Sequence, residues 1–219
     1  MNLVIIDYGS GNLRSVENAF INSVRTHKLK FKIQVTNKLS VISEADHLVL
    51  PGVGSFPDCK KGLKDISGLI DLLTNEVIYE GKKFLGICVG MQLMVDYSSE
   101  KRKTSGFRWL CGNFKKIKTS GLDYLGRDYK IPHMGWNSLQ VTKQSHPVLE
   151  NINGNEQYYF VHSYALESTQ NDQVIANTMY SQKIPAIIGK ENYLGVQFHP
   201  EKSGNSGQKF IYNWLKWRP

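Results

Sequence analysis

Short apolar runs, some of which end in glycine-rich turns, alternate with stretches of apolar residues at helical spacing in the first half of the chain. Residues 3–6, 31–35, 47–50 and 83–88 form such runs, and their length and β-branched content predict buried strands. Helical spacing over residues 13–24, 63–79 and 89–97 predicts helices, the second interrupted near Ser67-Gly68. Alternating strands and helices predict an α/β fold with a mainly parallel central sheet flanked by helices, which gathers functional groups at the carboxyl ends of the strands.

The second half of the chain has a different pattern, in which short alternating stretches are separated by turn residues. We expect strands, partly antiparallel, at residues 113–117, 136–141, 158–162, 174–179, 186–188 and 194–198. A last helix over residues 207–217 is capped by Asn205 or Ser206, and the first helix by Asn12 or Ser10. No composition break suggests a linker, so residues 1–219 are expected to form a single domain.

Charge and cysteine usage limit the classes of function. The net charge of +8 is spread along the chain rather than gathered in one patch, which is typical of a solvated surface, so we expect no nucleic-acid partner. The first apolar run is too short for a signal peptide or a membrane span, which predicts a cytoplasmic protein without membrane contact. The three cysteines, Cys59, Cys88 and Cys111, are an odd number and do not suggest a disulfide scaffold.

One cysteine lies between glycines where a predicted strand meets a predicted helix, in Gly86-Ile87-Cys88-Val89-Gly90. Small flanking residues permit a sharp turn that lifts the sulfur out of the sheet, as in the nucleophile elbow of hydrolases. The amino terminus of the following helix favours a thiolate. A thiol is only slightly ionised near neutral pH, so a nucleophile here also needs a base. Alone, the pattern fits a nucleophile and a buried structural cysteine about equally well, because Gly-x-Cys-x-Gly is only moderately specific.

A histidine and a carboxylate follow another apolar strand, in Gln197-Phe198-His199-Pro200-Glu201. Histidine can accept the thiol proton, and glutamate can orient the imidazole and stabilise its charged form. A single His-x-Glu is weak evidence, since most histidines are surface or satisfied core residues. Paired with the elbow, it predicts a Cys88, His199 and Glu201 triad.

With these motifs, the chain resembles the class I glutamine amidotransferases. Pro51-Gly52-Val53-Gly54, Gly86-Ile87-Cys88-Val89-Gly90-Met91-Gln92 and His199-Pro200-Glu201 match that family in order, and the resemblance covers nearly the whole chain. It implies that Cys88 is the nucleophile, His199 the general base and acid, and Glu201 the orienting carboxylate. It further implies an oxyanion hole at the backbone of Val53, Gly54 and Val89 and substrate contacts at Gly52, Gln92, Ser163 and Tyr164. By itself, Pro51-Gly52-Val53-Gly54 is equally an ordinary tight turn.

Further matches narrow the resemblance to the glutaminase-subunit family of imidazole glycerol phosphate synthases. They are residues 7–13, Pro132-His133-Met134-Gly135-Trp136-Asn137, residues 159–164 and residues 197–203. The resemblance implies a heterodimer with a (β/α)8-barrel cyclase, to which ammonia is channelled in histidine biosynthesis, without a metal or other cofactor. It places Asn12, Met134, Trp136, Tyr159 and Lys202 toward the barrel, although Trp136 and Tyr159 would also suit a core.

One segment departs from the family pattern, since Gly106-Phe107-Arg108-Trp109-Leu110-Cys111-Gly112 retains only its outer glycines and its tryptophan. Cys59 and Cys111 lack the glycine elbow, so we interpret both as non-catalytic. Two other functions stay open. The same glutaminase chemistry could supply ammonia to a different synthase, such as one that amidates a nucleotide sugar, or the chain could be a non-catalytic regulatory module of the same fold.

Overall fold

The computed structural model of the chain describes residues 1–123, 125–142, 146–167 and 171–219. Its strands are β1 Asn2–Ile6, β2 Lys32–Thr36, β3 His47–Gly52, β4 Lys83–Cys88, β5 Val95–Ser98, β6 Thr104–Ser105, β7 Leu110–Lys116, β8 His133–Ser138, β9 Gln140–Val141, β10 Gln157–His162, β11 Tyr164–Glu167, β12 Val174–Tyr180, β13 Gln182–Lys190 and β14 Tyr193–Val196. Its α-helices are α1 Leu13–Thr26, α2 Leu39–Ser43, α3 Phe56–Asp65, α4 Leu69–Thr74, α5 Val89–Gln92 and α6 Gly204–Lys216. A π-helical turn, Asn75–Tyr79, follows α4, and 3₁₀ turns lie at Pro147–Leu149, Asn171–Gln173 and Pro200–Lys202.

A large mixed sheet organises the molecule, in the order β2-β1-β3-β4-β14-β13-β12-β9. Every pair from β2 to β14 in this order is parallel, and every pair from β14 to β9 is antiparallel. Two smaller sheets, β10-β8 and β11-β7-β5-β6, come from the second half of the chain and from the segment after α5. The predicted α/β class, with an added antiparallel region in the second half, is therefore confirmed.

The apolar core extends along most of the chain. Residues 3–6 of β1 are buried, and Phe20 of α1 packs edge-on against Trp214 of α6 with ring centroids 5.8 Å apart. One cluster of buried apolar residues reaches from Leu3 to Trp217. Organisation as a single domain stays a prediction. Within the described ranges, no helix is both long enough and apolar enough to cross a bilayer.

Neighbouring strands bring three chain segments to one edge of the large sheet. β3, β4 and β14 are consecutive in it, with Gly52 opposite Cys88 and Val196 opposite Ile87. Because these strands are parallel, the residues that follow them emerge at the same carboxyl edge. The sheet therefore juxtaposes the predicted elbow, the glycine-rich turn after β3 and the His-x-Glu segment after β14.

The predicted helix over residues 89–97 is wrong in its second part, because α5 ends at Gln92 and β5 begins at Val95. The carbonyl of Leu93 accepts a hydrogen bond from Phe107 N–H, and that of Met94 from Trp109 N–H, so both leave the helical pattern. Residues 89–95 are buried without a break, and for such a run apolar spacing does not separate helix from strand.

The predicted cap of the first helix is right in position only, and that of the last helix is wrong. Asn12 occupies the N-cap position of α1, but its side chain makes no capping hydrogen bond. Asn205 and Ser206 lie inside α6, which begins at Gly204. Ser203 precedes that helix, and its hydroxyl is already engaged with the His199 carbonyl and the Tyr159 N–H.

Candidate active site

Cys88 lies at the end of β4 in a backbone conformation that is rare for a residue with a side chain, with φ 53° and ψ −108°. The surrounding glycines explain how this turn is held. A Cβ atom on Gly90 would lie 1.9 Å from the Leu50 carbonyl oxygen, and one on Gly86 would lie 2.6 Å from the Gly90 carbonyl group. Two backbone segments therefore touch where side chains would separate them, which is the physical reason for the Gly-x-Cys-x-Gly spacing.

The predicted triad is assembled around the sulfur of Cys88. His199 lines the same cleft as Cys88 and interacts electrostatically with it, and its Nδ1 lies 2.8 Å from Oε1 of Glu201. A carboxylate accepts only, so Nδ1–H donates to Glu201 and Nε2 is the nitrogen that remains for Cys88. The side chains of His199 and Glu201 are only 3% and 2% exposed, so this pair is shielded from solvent.

The electrostatic surroundings favour a charged His199. Burial lowers the pKa of this imidazole, but hydrogen bonds to Cys88 and Glu201 and the charges of both groups outweigh that effect and raise the pKa to about 10. The second oxygen of Glu201 is buried and has no hydrogen-bond partner among the described residues. The directed interaction of this carboxylate is therefore with His199, an arrangement suited to an imidazolium beside an anionic sulfur.

The glycine-rich turn after β3 forms one wall of the site, and side-chain groups hold its carbonyls. The Tyr8 hydroxyl donates to the Pro51 carbonyl at 2.9 Å. The Val53 carbonyl accepts from the hydroxyl of Ser10 at 2.6 Å and from the thiol of Cys59 at 3.4 Å. Cys59 is buried, and the contact of its thiol with the Val53 carbonyl supports this turn.

A cleft of about 410 Å³ opens in front of the sulfur. Nearly all residues predicted for the oxyanion hole and the substrate contacts line it, together with Cys88 and His199: Val53, Gly54, Val89, Gln92, Ser163 and Tyr164. Gly52 lies behind this wall, where a Cβ atom would be 2.8 Å from the Tyr8 hydroxyl and 2.9 Å from the Gly90 nitrogen.

Sequence reasoning missed two polar residues of this site. Glu100 lines the cleft, and its carboxylate accepts from the Phe56 N–H at 2.7 Å; no motif marks it in the sequence. Gln197 is fully buried, and its Nε2 lies 3.6 Å from the sulfur of Cys88. The strand alternation Gln197-Phe198-His199 places its side chain on the same side of the chain as His199, a signal that could have identified it.

Two buried histidines form part of the wall on the opposite side. Nδ1 of His162 lies 2.9 Å from the Tyr164 carbonyl oxygen, and Nε2 lies 2.9 Å from Nδ1 of His133. A carbonyl only accepts, so His162 donates through Nδ1 and accepts from His133 through Nε2. Nε2 of His133 then faces the Asn137 amide nitrogen at 3.3 Å as an acceptor. Both rings are neutral in this arrangement, and burial lowers the pKa of His133 to about 3 and that of His162 to about 4.

A second cleft, of about 740 Å³, lies on the other side of this histidine pair. Exposed apolar side chains line it, with Met134 61%, Trp136 56% and Met179 46% exposed. Trp136 also packs edge-on against Tyr159 at 6.0 Å, and the Lys202 ammonium lies 5.7 Å from the Tyr159 ring centroid. We call Met134, Trp136, Tyr159, Met179 and Lys202 the apolar patch.

The apolar patch contains four of the five residues predicted to face a partner. The exposure of Trp136 excludes its alternative interpretation as a core aromatic. Asn12, the fifth, precedes α1 and lies outside the walls of both clefts as the described residues define them. Lys202 lines the first cleft as well as joining the patch, and Pro132 lines both clefts.

Among the described residues, no group of three or more histidine, cysteine, aspartate or glutamate side chains is arranged to hold a metal ion.

Comparison with known proteins identifies the family of the chain. The family model described as glutamine amidotransferase class-I matches residues 4–217. A solved structure titled as a glutamine amidotransferase superimposes with a TM-score of 0.67 at 16% identity, covering 97% of this chain and 98% of that one. A glutamine amidotransferase from Thermotoga maritima superimposes with a TM-score of 0.57 at 15% identity, covering 98% and 82%. Fold and sequence together define a class-I glutamine amidotransferase.

Relatives with higher sequence identity define the family to which the chain belongs within this class. The chain is 41% identical to the imidazole glycerol phosphate synthase subunit HisH of Brucella melitensis biotype 1 and 42% identical to that of Rhodopseudomonas palustris, in each case over 100% of both chains. The chain therefore belongs to the HisH family.

The elbow generates a prediction about stability. Replacing Gly90 by alanine should lower the free energy of unfolding by about 3 kcal/mol, because the added Cβ atom meets the Leu50 carbonyl and the backbone must shift. Gly81→Ala is the matched control, since Gly81 has φ 70° and open space around it. It should cost only the left-handed strain of about 1 kcal/mol. Urea denaturation of both variants measures the difference, and equal losses would contradict the contact.

The charge assignment of the buried histidines is also testable. In protein labelled with ¹⁵N at histidine, the His199 ring should stay doubly protonated up to about pH 9, because its pKa is raised to about 10. His133 and His162 should remain neutral at about pH 6 in the same sample, because their pKa values are lowered. Glu201→Gln should move the His199 titration to lower pH, since a neutral amide no longer stabilises the imidazolium. A wild-type His199 that titrates near 6.5 would contradict the assignment.

Proposed function

We propose that this chain is the glutaminase subunit of an imidazole glycerol phosphate synthase. It hydrolyses glutamine to glutamate and ammonia with Cys88, His199 and Glu201, and it passes the ammonia to a (β/α)8-barrel cyclase. The single observation that carries the catalytic part is the buried arrangement in which Cys88 contacts His199 and His199 contacts Glu201 at 2.8 Å, at the base of an open cleft.

The proposed reaction begins when the sulfur of Cys88 attacks the side-chain amide carbon of glutamine. The carbon becomes tetrahedral, and its oxygen takes up negative charge in front of the Val89 N–H and the N–H groups of Val53 and Gly54. A preorganised donor of this kind contributes about 10²- to 10³-fold to turnover. His199 then protonates the nitrogen, ammonia leaves, and Cys88 is left as a thioester.

In the second half of the reaction, water attacks the thioester. His199 accepts a proton from this water, glutamate is released, and the sulfur of Cys88 is regenerated. Glu201 fixes the ring so that the same Nε2 serves both proton transfers. Gln92, Ser163 and Tyr164 lie on the cleft wall, where they can hold the amino-acid end of glutamine, and the Glu100 carboxylate offers a counter-charge to its α-ammonium group.

The proposed acceptor of the ammonia is the nucleotide bound by the cyclase, which is converted to imidazole glycerol phosphate and an aminoimidazole carboxamide ribonucleotide in histidine biosynthesis. Full-length identity of about 40% to HisH subunits supports this acceptor over a nucleotide-sugar synthase. The complete buried triad supports catalysis over a non-catalytic regulatory module. The cytoplasm is the proposed compartment, where free thiols such as Cys59, Cys88 and Cys111 stay reduced.

The apolar patch is the proposed docking surface for the barrel. Isolated exposed apolar residues are normal, but a contiguous set around a cleft marks an interaction site. Trp136 is the most suitable anchor, because large aromatic side chains dominate the energetics of protein interfaces. This surface adjoins the catalytic cleft at Pro132 and Lys202, so ammonia released at Cys88 has a short route to a partner docked there.

The division of labour between the two proteins is tested by Cys88→Ala. This variant should lose glutamine hydrolysis while the assembled synthase still uses added ammonium salt, because the triad generates ammonia and does not touch the acceptor. Cys111→Ser is the control and should keep both activities, since Cys111 lies outside the cleft wall that the described residues form. Glutamate release and acceptor conversion are measured separately in each complex. Loss of the ammonia-dependent reaction in an intact complex would contradict the proposal.

The docking surface is tested by Trp136→Ala. We expect the dissociation constant of the complex with the barrel protein to rise at least about tenfold, because the variant removes an aromatic anchor. Tyr79→Ala removes another exposed aromatic side chain, 77% exposed, that lines neither cleft, and it should leave the constant unchanged. Titration calorimetry of the three complexes gives the comparison. Equal affinity of the Trp136 variant and the wild type would place the interface elsewhere.

A further inference from the structure

Gln197 stands out among the buried polar groups because it contacts the sulfur of the nucleophile and has no part in the reaction described above. It follows β14 directly, and its side chain is fully buried. Its Nε2 lies 3.6 Å from the Cys88 sulfur, and its Oε1 accepts from Nε2 of Gln92 at 3.2 Å. Burying an amide without partners costs about 1–3 kcal/mol, and here both ends are paired.

The charge on the sulfur determines how this pair of amides is oriented. An anionic sulfur can only accept hydrogen bonds, so the Gln197 amide must present its NH₂ group to Cys88. Its oxygen then faces Gln92, which must present its own NH₂ group in return. The oxygen of Gln92 is thereby left as the end that can accept a hydrogen bond from a ligand in the cleft, whose wall includes Gln92.

Gln197 also completes the surroundings of the sulfur. His199 approaches Cys88 as a charged donor, and it must give up its proton to the leaving nitrogen during the reaction. Gln197 donates through an amide that does not change its protonation state, so its interaction with the sulfur persists when the sulfur becomes anionic again. Hydrogen bonds to charged groups contribute about 1.5–3 kcal/mol, roughly twice as much as neutral ones.

We propose that Gln197 is a further catalytic residue, which stabilises the anionic sulfur of Cys88 through its Nε2 and, through its Oε1, orients Gln92 toward bound glutamine. This inference rests on the proposed function, in which Cys88 is the nucleophile. The proposal assigns two effects to Gln197, stabilisation of the sulfur and orientation of Gln92. They can be separated because only the second depends on Gln92.

The test compares Gln197→Met, Gln197→Glu and Gln92→Met in the complex with the barrel protein. Methionine keeps the approximate length of glutamine without an N–H donor, and glutamate keeps its shape but cannot donate to an anion. The rate at which iodoacetamide alkylates Cys88 is measured against pH, with the labelled cysteine identified by mass spectrometry. The kcat and KM for glutamine are measured on the same samples.

For Gln197→Met, the midpoint of the alkylation profile should rise by about one pH unit, the size expected for one lost charge-assisted hydrogen bond. The kcat should fall about tenfold, and KM should rise. Gln197→Glu should shift the midpoint at least as far, which keeps the test decisive if the methionine variant does not fold. Gln92→Met should raise KM and leave the alkylation profile in place.

An unmoved pH profile in a folded Gln197 variant would overturn the proposal. It would show that the Gln197 side chain only fills space and does not affect the pH dependence of Cys88 alkylation. An equal shift in Gln92→Met would overturn the assignment of the sulfur contact to Gln197. Wild-type protein that is inactivated by labelling of Cys59 or Cys111 would instead refute the proposed function, since Cys88 would then not be the nucleophile.

Discussion

The contact between the Leu50 carbonyl and the backbone of Gly90 fixes the place where β3 meets the turn that carries Cys88. Because the turn packs directly against β3, Cys88 adopts a conformation that costs about 1–3 kcal/mol elsewhere in proteins. The core on which β3 and β4 lie is fully buried, and it supplies the free energy that sustains this strain. The position of the sulfur is thus a property of the sheet rather than of a loop.

Elements that the sequence predicts well are those that a local pattern determines. Short local motifs encode the elbow, the apolar strands on each side of it and the His-x-Glu segment after β14. The alternation of strands and helices predicts that neighbouring strands run parallel. The prediction of helix for the residues of β5 is wrong, because the continuously buried run that leads into them has no period that separates helix from strand. Only its pairing with β6 and β7 decides between them.

The contacts that refine the site are long-range, and therefore no local pattern indicates them. Ser10 reaches the Val53 carbonyl across 43 residues, and Cys59 of α3 joins it there. Gln92 and Gln197 are separated by 105 residues, and Phe56 and Glu100 by 44. Cys59 illustrates the limit: the absence of a glycine elbow predicts that it is non-catalytic, but its contact with the glycine-rich turn requires the packing of α3 to be known.

Three buried histidines near the cleft differ in charge, and the difference follows from their partners. Burial lowers the pKa of all three imidazoles, but at His199 the hydrogen bonds and charges of Cys88 and Glu201 outweigh burial and raise the pKa. Burial dominates at His133 and His162, so the pKa of each is lowered. His162 lines the catalytic cleft, yet its Nδ1–H is engaged with the Tyr164 carbonyl and its Nε2 with His133. It therefore neither offers a free proton nor accepts one in this arrangement. Among the histidines that line the catalytic cleft in the described part of the chain, proton exchange falls to His199. On the route proposed for ammonia toward the apolar patch, the neutral rings of His133 and His162 therefore do not convert it to ammonium.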